Sequence, residues 1–221
     1  MKQAIPFKDL TISDFLERLA NDNPPLPAAG SATALVGAVA CALSIFVAKL
    51  SFKKGLKTGD HPFDESIIDD LLSFHKKCLD IMDQDANAYA QIFETRKLSN
   101  NGRDADSNST DIVQDAYKLS LKPPMELIET SIQLLDRLTM VKKAIPKSTT
   151  ADLEVAVSLT YTCLTSSILI VESNLKEISE SSLANDFYRQ LDRYRAQGVH
   201  YHKEFFQGIF KMKRPDTGFF G

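Results

Sequence analysis

The run Ala28-Ala-Gly-Ser-Ala-Thr-Ala-Leu-Val-Gly-Ala-Val-Ala-Cys-Ala-Leu-Ser-Ile-Phe-Val-Ala48 carries no charge and is dominated by small residues. Its length matches a membrane span. It holds few large apolar side chains, however, opens on Pro24-Pro25-Leu26-Pro27, and lacks flanking aromatic belts. Those features predict instead a helix at the crowded centre of a soluble bundle, beginning near Gly30-Ser31 and running to about Lys54. Ala34, Ala38 and Ala42, four residues apart, predict a flat ridge for close packing with a neighbour.

Outward from this helix, every other segment also reads as helix. Thr11 or Ser13 caps a short one carrying Phe15, Leu16 and Leu19. Asn21 to Pro27 reads as an extended connection, and Gly55 to Pro62 as a polar turn. A third helix, from about Asp64 to Leu98, spaces Ile68, Leu71, Leu72, Cys78, Leu79, Met82, Ala86, Tyr89, Ala90 and Phe93 in threes and fours. Asn100 to Ser109 breaks the pattern as a loop. A fourth helix starts near Thr110, and Pro123-Pro124 must kink or split it before it resumes to Val141. Ser148-Thr149-Thr150 precedes a fifth helix, with Thr149 and Asp152 at capping-box spacing. Val155 to Val171 is nearly uncharged, so this helix too is expected to be central. A sixth runs from about Ser182 to Lys213. The expected fold is all-α: a single domain over residues 1–221, an up-and-down bundle of about six helices with two apolar central ones.

The totals narrow the function. Of 221 residues, 43% are hydrophobic and 25% charged, with a net charge of −3 and no basic stripe, which argues against nucleic acid. Cys41, Cys78 and Cys163 are scattered over apolar helical stretches, as buried free thiols in a reducing cytoplasm would be. The N-terminus has no apolar signal region. A soluble, cytoplasmic protein is expected, with no membrane partner.

The chemistry-bearing residues are few. Pro27-x-x-Gly30-Ser31, opening an Ala-rich helix, aims free backbone amides outward and lets a ligand approach. His75 lies on the apolar stripe of the third helix, with Asp83 and Asp85 at its margins and Asp80 toward solvent. Asp80-x-x-Asp83-x-Asp85 has the carboxylate density for Mg²⁺, but no second acidic cluster answers it, so no metal is expected. His200 and His202 are two apart and point to different helix faces. Asp152 sits in the first turn of its helix, where a carboxylate suits the dipole. Asn174 reads as polar punctuation near that helix's far end.

In order and spacing, these pieces resemble the cyclodeaminase/cyclohydrolase family of folate one-carbon enzymes. The likeness runs from Asp14-Phe15-Leu16 through Pro27-x-x-Gly30-Ser31 to Lys53-Lys54. It continues at Asp83-Gln-Asp85-Ala86-x-Ala88-Tyr89, Lys122-Pro123-Pro124, Thr150-Ala151-Asp152-x-x-Val155-Ala156 and Asn174-Leu175-Lys176, covering about residues 12–180. The resemblance implies a tetrahydrofolate derivative as substrate, no metal or redox cofactor, and a homodimer or larger assembly. It assigns catalysis to Asp152 with Asp85, and substrate contacts to Pro27, Gly30, Ser31, Lys54 and Asn174. Tyr201, Phe205, Phe206 and Phe210 are the expected subunit contact. Ala28 and Ala29 stand where the family's turn has glycines, and Lys49 and Ile170 where Asn is usual. These departures keep open a second reading, a non-catalytic helical scaffold or small-ligand-binding protein of the same fold.

Overall fold

The computed structural model describes residues 5–21, 27–55, 57–58, 61–62, 64–101 and 107–206. It contains helices α1 (Ile12–Leu19), α2 (Ala29–Lys53), α3 (Ser66–Asn101), α4 (Ser107–Ser120), α5 (Lys122–Lys142), α6 (Thr150–Leu175) and α7 (Ser181–Phe206). Single 3₁₀ turns, Phe7–Asp9 and Lys147–Thr149, precede α1 and α6. The expected polar turn after α2 holds a minimal antiparallel pair, β1 (Lys57–Thr58) with β2 (His61–Pro62). Residues 22–26 of the expected connection, 102–106 of the expected loop and 207–213 of the last helix lie outside the described residues, as does the side chain of Phe206.

The expected helix four is split. α4 ends at Ser120, and Pro123 and Pro124 occupy the first turn of α5, where their missing amides leave no bond unmade. Thr11 caps α1, its side-chain oxygen accepting the Asp14 amide at 3.1 Å. The capping box of α6 does not form. Thr149 turns its hydroxyl back onto the Pro146 carbonyl at 2.9 Å, because the 3₁₀ turn places that acceptor nearer.

α2 packs against α3, α5 and α6, and α6 against α2, α5 and α7. A Cβ on Gly37 would lie 3.0 Å from Cys163 Sγ and 3.1 Å from Cys78 Sγ, so α2, α3 and α6 meet there almost backbone to side chain. All three thiols are buried and free, and burial pushes Cys163 up to about 12. The expected ridge holds at Ala34 and Ala38 but not at Ala42, which is exposed. Steps of four overshoot the helical period, and the face passes instead through Gly37, Cys41 and Ala48. Buried hydroxyls on the apolar helices bond their own preceding turns, Ser44 to Ala40 O at 2.7 Å and Thr160 to Ala156 O at 2.7 Å.

The two apolar helices are only half enclosed. Val39 (48%) and Phe46 (51%) on α2, with Val155 (50%) and Leu169 (65%) on α6, remain exposed. Both helices are long and apolar enough to cross a membrane by length and composition, yet their inner faces are committed to the bundle core. Of the aromatic residues expected as a subunit contact, Phe205 is buried, with the Lys142 ammonium 4.7 Å from its ring centroid, and Tyr201 is half-buried, while Phe210 lies outside the described residues.

Candidate active site

Gly37 lies opposite Cys163, and the start of α2 lies beside the end of α6, so α2 and α6 run antiparallel. At that end a cavity of about 290 Å³ opens between four elements. The entry of α2 supplies Ala28, Ala29 and Gly30; α3 supplies Asp85, Ala88, Tyr89 and Ile92; α4 supplies Ser120; α6 supplies Leu169, Ile170, Ser173 and Asn174.

Asp85 is the ionisable group with a built environment. A Cβ on Gly30 would lie 1.9 Å from Asp85 Oδ1, so glycine at this position makes the space that the carboxylate occupies. The requirement is for room and not for an unusual φ, since among the described glycines only Gly55 is left-handed. Ser31 Oγ lies 3.1 Å from Asp85 Oδ2 and 2.9 Å from the Met82 carbonyl. Burial raises the Asp85 pKa, and hydrogen bonds from Ser31 oppose that rise without cancelling it. A carboxyl held partly against ionisation, facing a cavity and the positive end of a 25-residue helix, can both hold a proton and stabilise a cation.

The other α3 carboxylates are used elsewhere. Asp83 accepts the Phe7 amide at 2.6 Å, and Asp80 pairs with Lys8 at 2.7 Å, so both fasten the N-terminal turn. No group of three metal-ligating side chains occurs among the described residues. His75 is half-buried and away from the cavity lining.

Of the expected substrate-binding residues, Gly30 and Asn174 line the cavity. Asn174 Nδ2 donates to Ser120 Oγ at 3.0 Å, tying the end of α6 to the end of α4. Pro27 is buried just before the lining begins. Ser31 is fully buried and reaches the cavity only through Asp85. Lys54 and Asp152 are not brought there. Lys54 lies 24 residues beyond Gly30 on α2, about 36 Å along the helix, and is exposed. Asp152 lies 17 residues before Leu169, about 26 Å along α6, half-buried and without a hydrogen-bond or ion-pair partner among the described residues. The cavity therefore lies between the N-terminus of α2 and the C-terminus of α6.

Sequence reasoning did not single out Ser120, Leu169 or Ser173 as lining residues. Ser120 had a readable signal, since it stands three residues before Pro123-Pro124, at the helix break. Leu169 had none, because an apolar residue on an apolar helix reads as core.

The alanines before Gly30 are accommodated without strain. Ala28 has φ −120° and ψ −162°, an extended conformation open to any residue, so its methyl narrows the cavity mouth without distorting the turn.

A sequence model of the formiminotransferase-cyclodeaminase family matches residues 11–193. The chain is 26% identical over 176 residues to the formimidoyltransferase-cyclodeaminase of Rattus norvegicus, and 27% identical over 176 residues to that of Mus musculus. Each alignment covers 78% of this chain and 31% of the relative, so the chain spans about a third of the length of the curated relatives it matches. In fold it is similar to the crystal structure of formiminotetrahydrofolate cyclodeaminase from Thermotoga maritima, with a TM-score of 0.79 at 24% identity, covering 91% of this chain and 98% of that one. With the match running through the cavity-forming parts of α2, α3, α4 and α6, the chain belongs to the formiminotransferase-cyclodeaminase family.

Proposed function

We propose that this protein acts in the cytoplasm on a one-carbon derivative of tetrahydrofolate. It either closes 5-formiminotetrahydrofolate to 5,10-methenyltetrahydrofolate with loss of ammonia, or hydrates the methenyl form to 10-formyltetrahydrofolate, as a cyclohydrolase. The observation that carries this reading is Asp85, a buried carboxyl held by Gly30 and Ser31 at the wall of the cavity.

Both reactions pass through a tetrahedral carbon between N5 and N10 of the tetrahydrofolate. In the closure, N10 attacks the cationic formimino carbon and gives up its proton. The exocyclic nitrogen accepts a proton and leaves as ammonia, restoring a cationic amidinium. One carboxylate can accept the first proton and deliver the second, and its charge favours the cationic species. Asp85 fits that part, because its burial keeps proton affinity above that of a free carboxyl. Tyr89, Ile92 and Leu169 give the pterin an apolar wall, with Asn174 and Ser120 as hydrogen-bonding groups. No metal or redox cofactor enters the scheme.

The assembly proposed with it is a homodimer or larger, built on the open apolar face of α2 and α6. An antiparallel second copy on this face would carry Asp152 of the partner subunit, which shares its end of the bundle with Lys54, toward the cavity. That is the route by which Asp152 takes part. The other reading, ligand binding without turnover, is favoured by Ile170, which puts a branched apolar side chain into the lining. Absorbance of the methenyl form, followed with either substrate, separates the two: turnover supports the enzyme, and binding without turnover supports the scaffold.

A further inference from the structure

Ser31 has one hydroxyl proton and two acceptors within reach, Met82 O at 2.9 Å and Asp85 Oδ2 at 3.1 Å. It is completely buried, so neither water nor a ligand can stand in for either acceptor. We propose that Ser31 is a positioning residue, whose hydroxyl switches between the Asp85 carboxylate and the Met82 carbonyl as Asp85 loses and gains its proton.

With Asp85 ionised, Ser31 donates to the carboxylate in a charge-assisted bond. With Asp85 protonated, the carboxyl donates to Ser31 Oγ, and Ser31 passes its own hydrogen to Met82 O. Each state is satisfied, so proton exchange with the cavity leaves no buried polar atom without a partner at this point. Gly30 clamps the arrangement from the other side, since a Cβ there would overlap the carboxyl group. The rest of the lining cannot substitute. α6 presents Leu169, Ile170, Ser173 and Asn174, α4 presents Ser120, and the entry of α2 presents no ionisable group. Tyr89, one turn along α3, is the other ionisable side chain of the lining, and Asp83 is already held by the Phe7 amide. The Pro-x-x-Gly-Ser motif thus acts on Asp85, with Gly30 giving room and Ser31 giving a reversible hydrogen bond.

The role rests on the reading of Asp85 as the reacting carboxyl, but it can be tested without substrate. The apoprotein labelled with ¹³C-aspartate is titrated by NMR as wild type, Ser31→Ala and Ser31→Thr, with Asp85→Asn assigning the resonance. Wild-type Asp85 should titrate above a free aspartate. Ser31→Ala should raise its midpoint by about one unit, a tenfold gain in proton affinity, because the ionised form loses the stronger bond. Ser31→Thr, keeping the hydroxyl, should return it toward wild type. The acid limb of the kcat/KM profile should move with it, while thermal melting stays near wild type. An unchanged midpoint in Ser31→Ala overturns the proposal. A shifted midpoint in a protein that turns over neither folate overturns the enzymatic reading and leaves the switch standing.

Discussion

The two ends of the α2–α6 pair were built from the same kind of sequence and differ in almost everything else. At the cavity end, Gly30 and Ser31 hold Asp85 by excluded volume and a 3.1 Å contact, and Asn174 is bonded to Ser120 at 3.0 Å. At the far end, Lys49 and Lys54 are exposed and Asp152 has no partner among the described residues. Both ends carry residues that belong to the family pattern. A single chain therefore builds a cavity of defined geometry at one end and leaves Asp152 and Lys54 about 26–36 Å away along the helices. The difference is why the proposed chemistry is centred on Asp85, and why the proposed role of Asp152 needs a second copy.

The sharpest way to break the comparison is at Gly30. Gly30→Ala places a methyl carbon where Asp85 Oδ1 lies, so the carboxyl must swing out. The displaced group is the tip of a side chain, and alanine is the better helix former by about 1 kcal/mol. Melting should stay within a few degrees of wild type while kcat falls about 10²–10³-fold. The same substitution at Gly55, exposed beyond the far end of α2, should leave kcat near wild type and lower stability instead, because its φ of +61° disfavours alanine.

Next in size is a test that joins the ends. If Asp152 of the partner subunit completes the cavity, Asp85→Asn and Asp152→Asn chains are each impaired, and mixing them regenerates a fraction of intact sites. Random pairing gives about one quarter of the wild-type activity, because one site in each mixed dimer carries both carboxylates. No recovery, with Asp152→Asn alone as fast as wild type, would reduce Asp152 to a favourable charge on the first turn of α6. Light scattering of the wild type at micromolar concentration should show a dimer or larger, and a monomer would remove the joining altogether.

A smaller effect concerns stability. Asp85 has a folded-state pKa raised by burial, so its ionisation opposes folding. Its contribution is fully present below the unfolded pKa near 3.8 and is lost as pH rises through the folded value. Asp85→Asn should therefore melt higher than wild type at pH 7, with the gap closing toward pH 4. At the far end, by contrast, Lys54 is exposed, and Lys54→Ala should change stability by less than about 0.5 kcal/mol.

The fold was legible because its signals are local. Apolar spacing marked α3 and α5, Thr11 marked the start of α1, and Pro123-Pro124 marked the break before α5. The site was legible only at one end. Gly30 and Asp85 are 55 residues apart in sequence, and their separate motifs named both. What spacing could not say is which end of α6 meets the start of α2, since an uncharged helix packs equally well in either direction. The family resemblance assigns both Asp152 and Asn174 to the site, and the packing keeps only Asn174 beside the cavity. Thr149 misled for a related reason. Its capping partner was inferred from sequence distance, whereas the preceding 3₁₀ turn offers a nearer acceptor.

The most direct test of the account is the turnover of Asp85→Asn beside wild type on 5-formiminotetrahydrofolate and on 5,10-methenyltetrahydrofolate, followed by the absorbance of the methenyl form. The account predicts that wild type turns over one of the two and that the variant, folded and melting no lower at pH 7, loses about 10²–10³ in kcat. A variant that matches an active wild type would contradict it, and would move the chemistry away from the cavity that Gly30 and Ser31 build around this carboxyl.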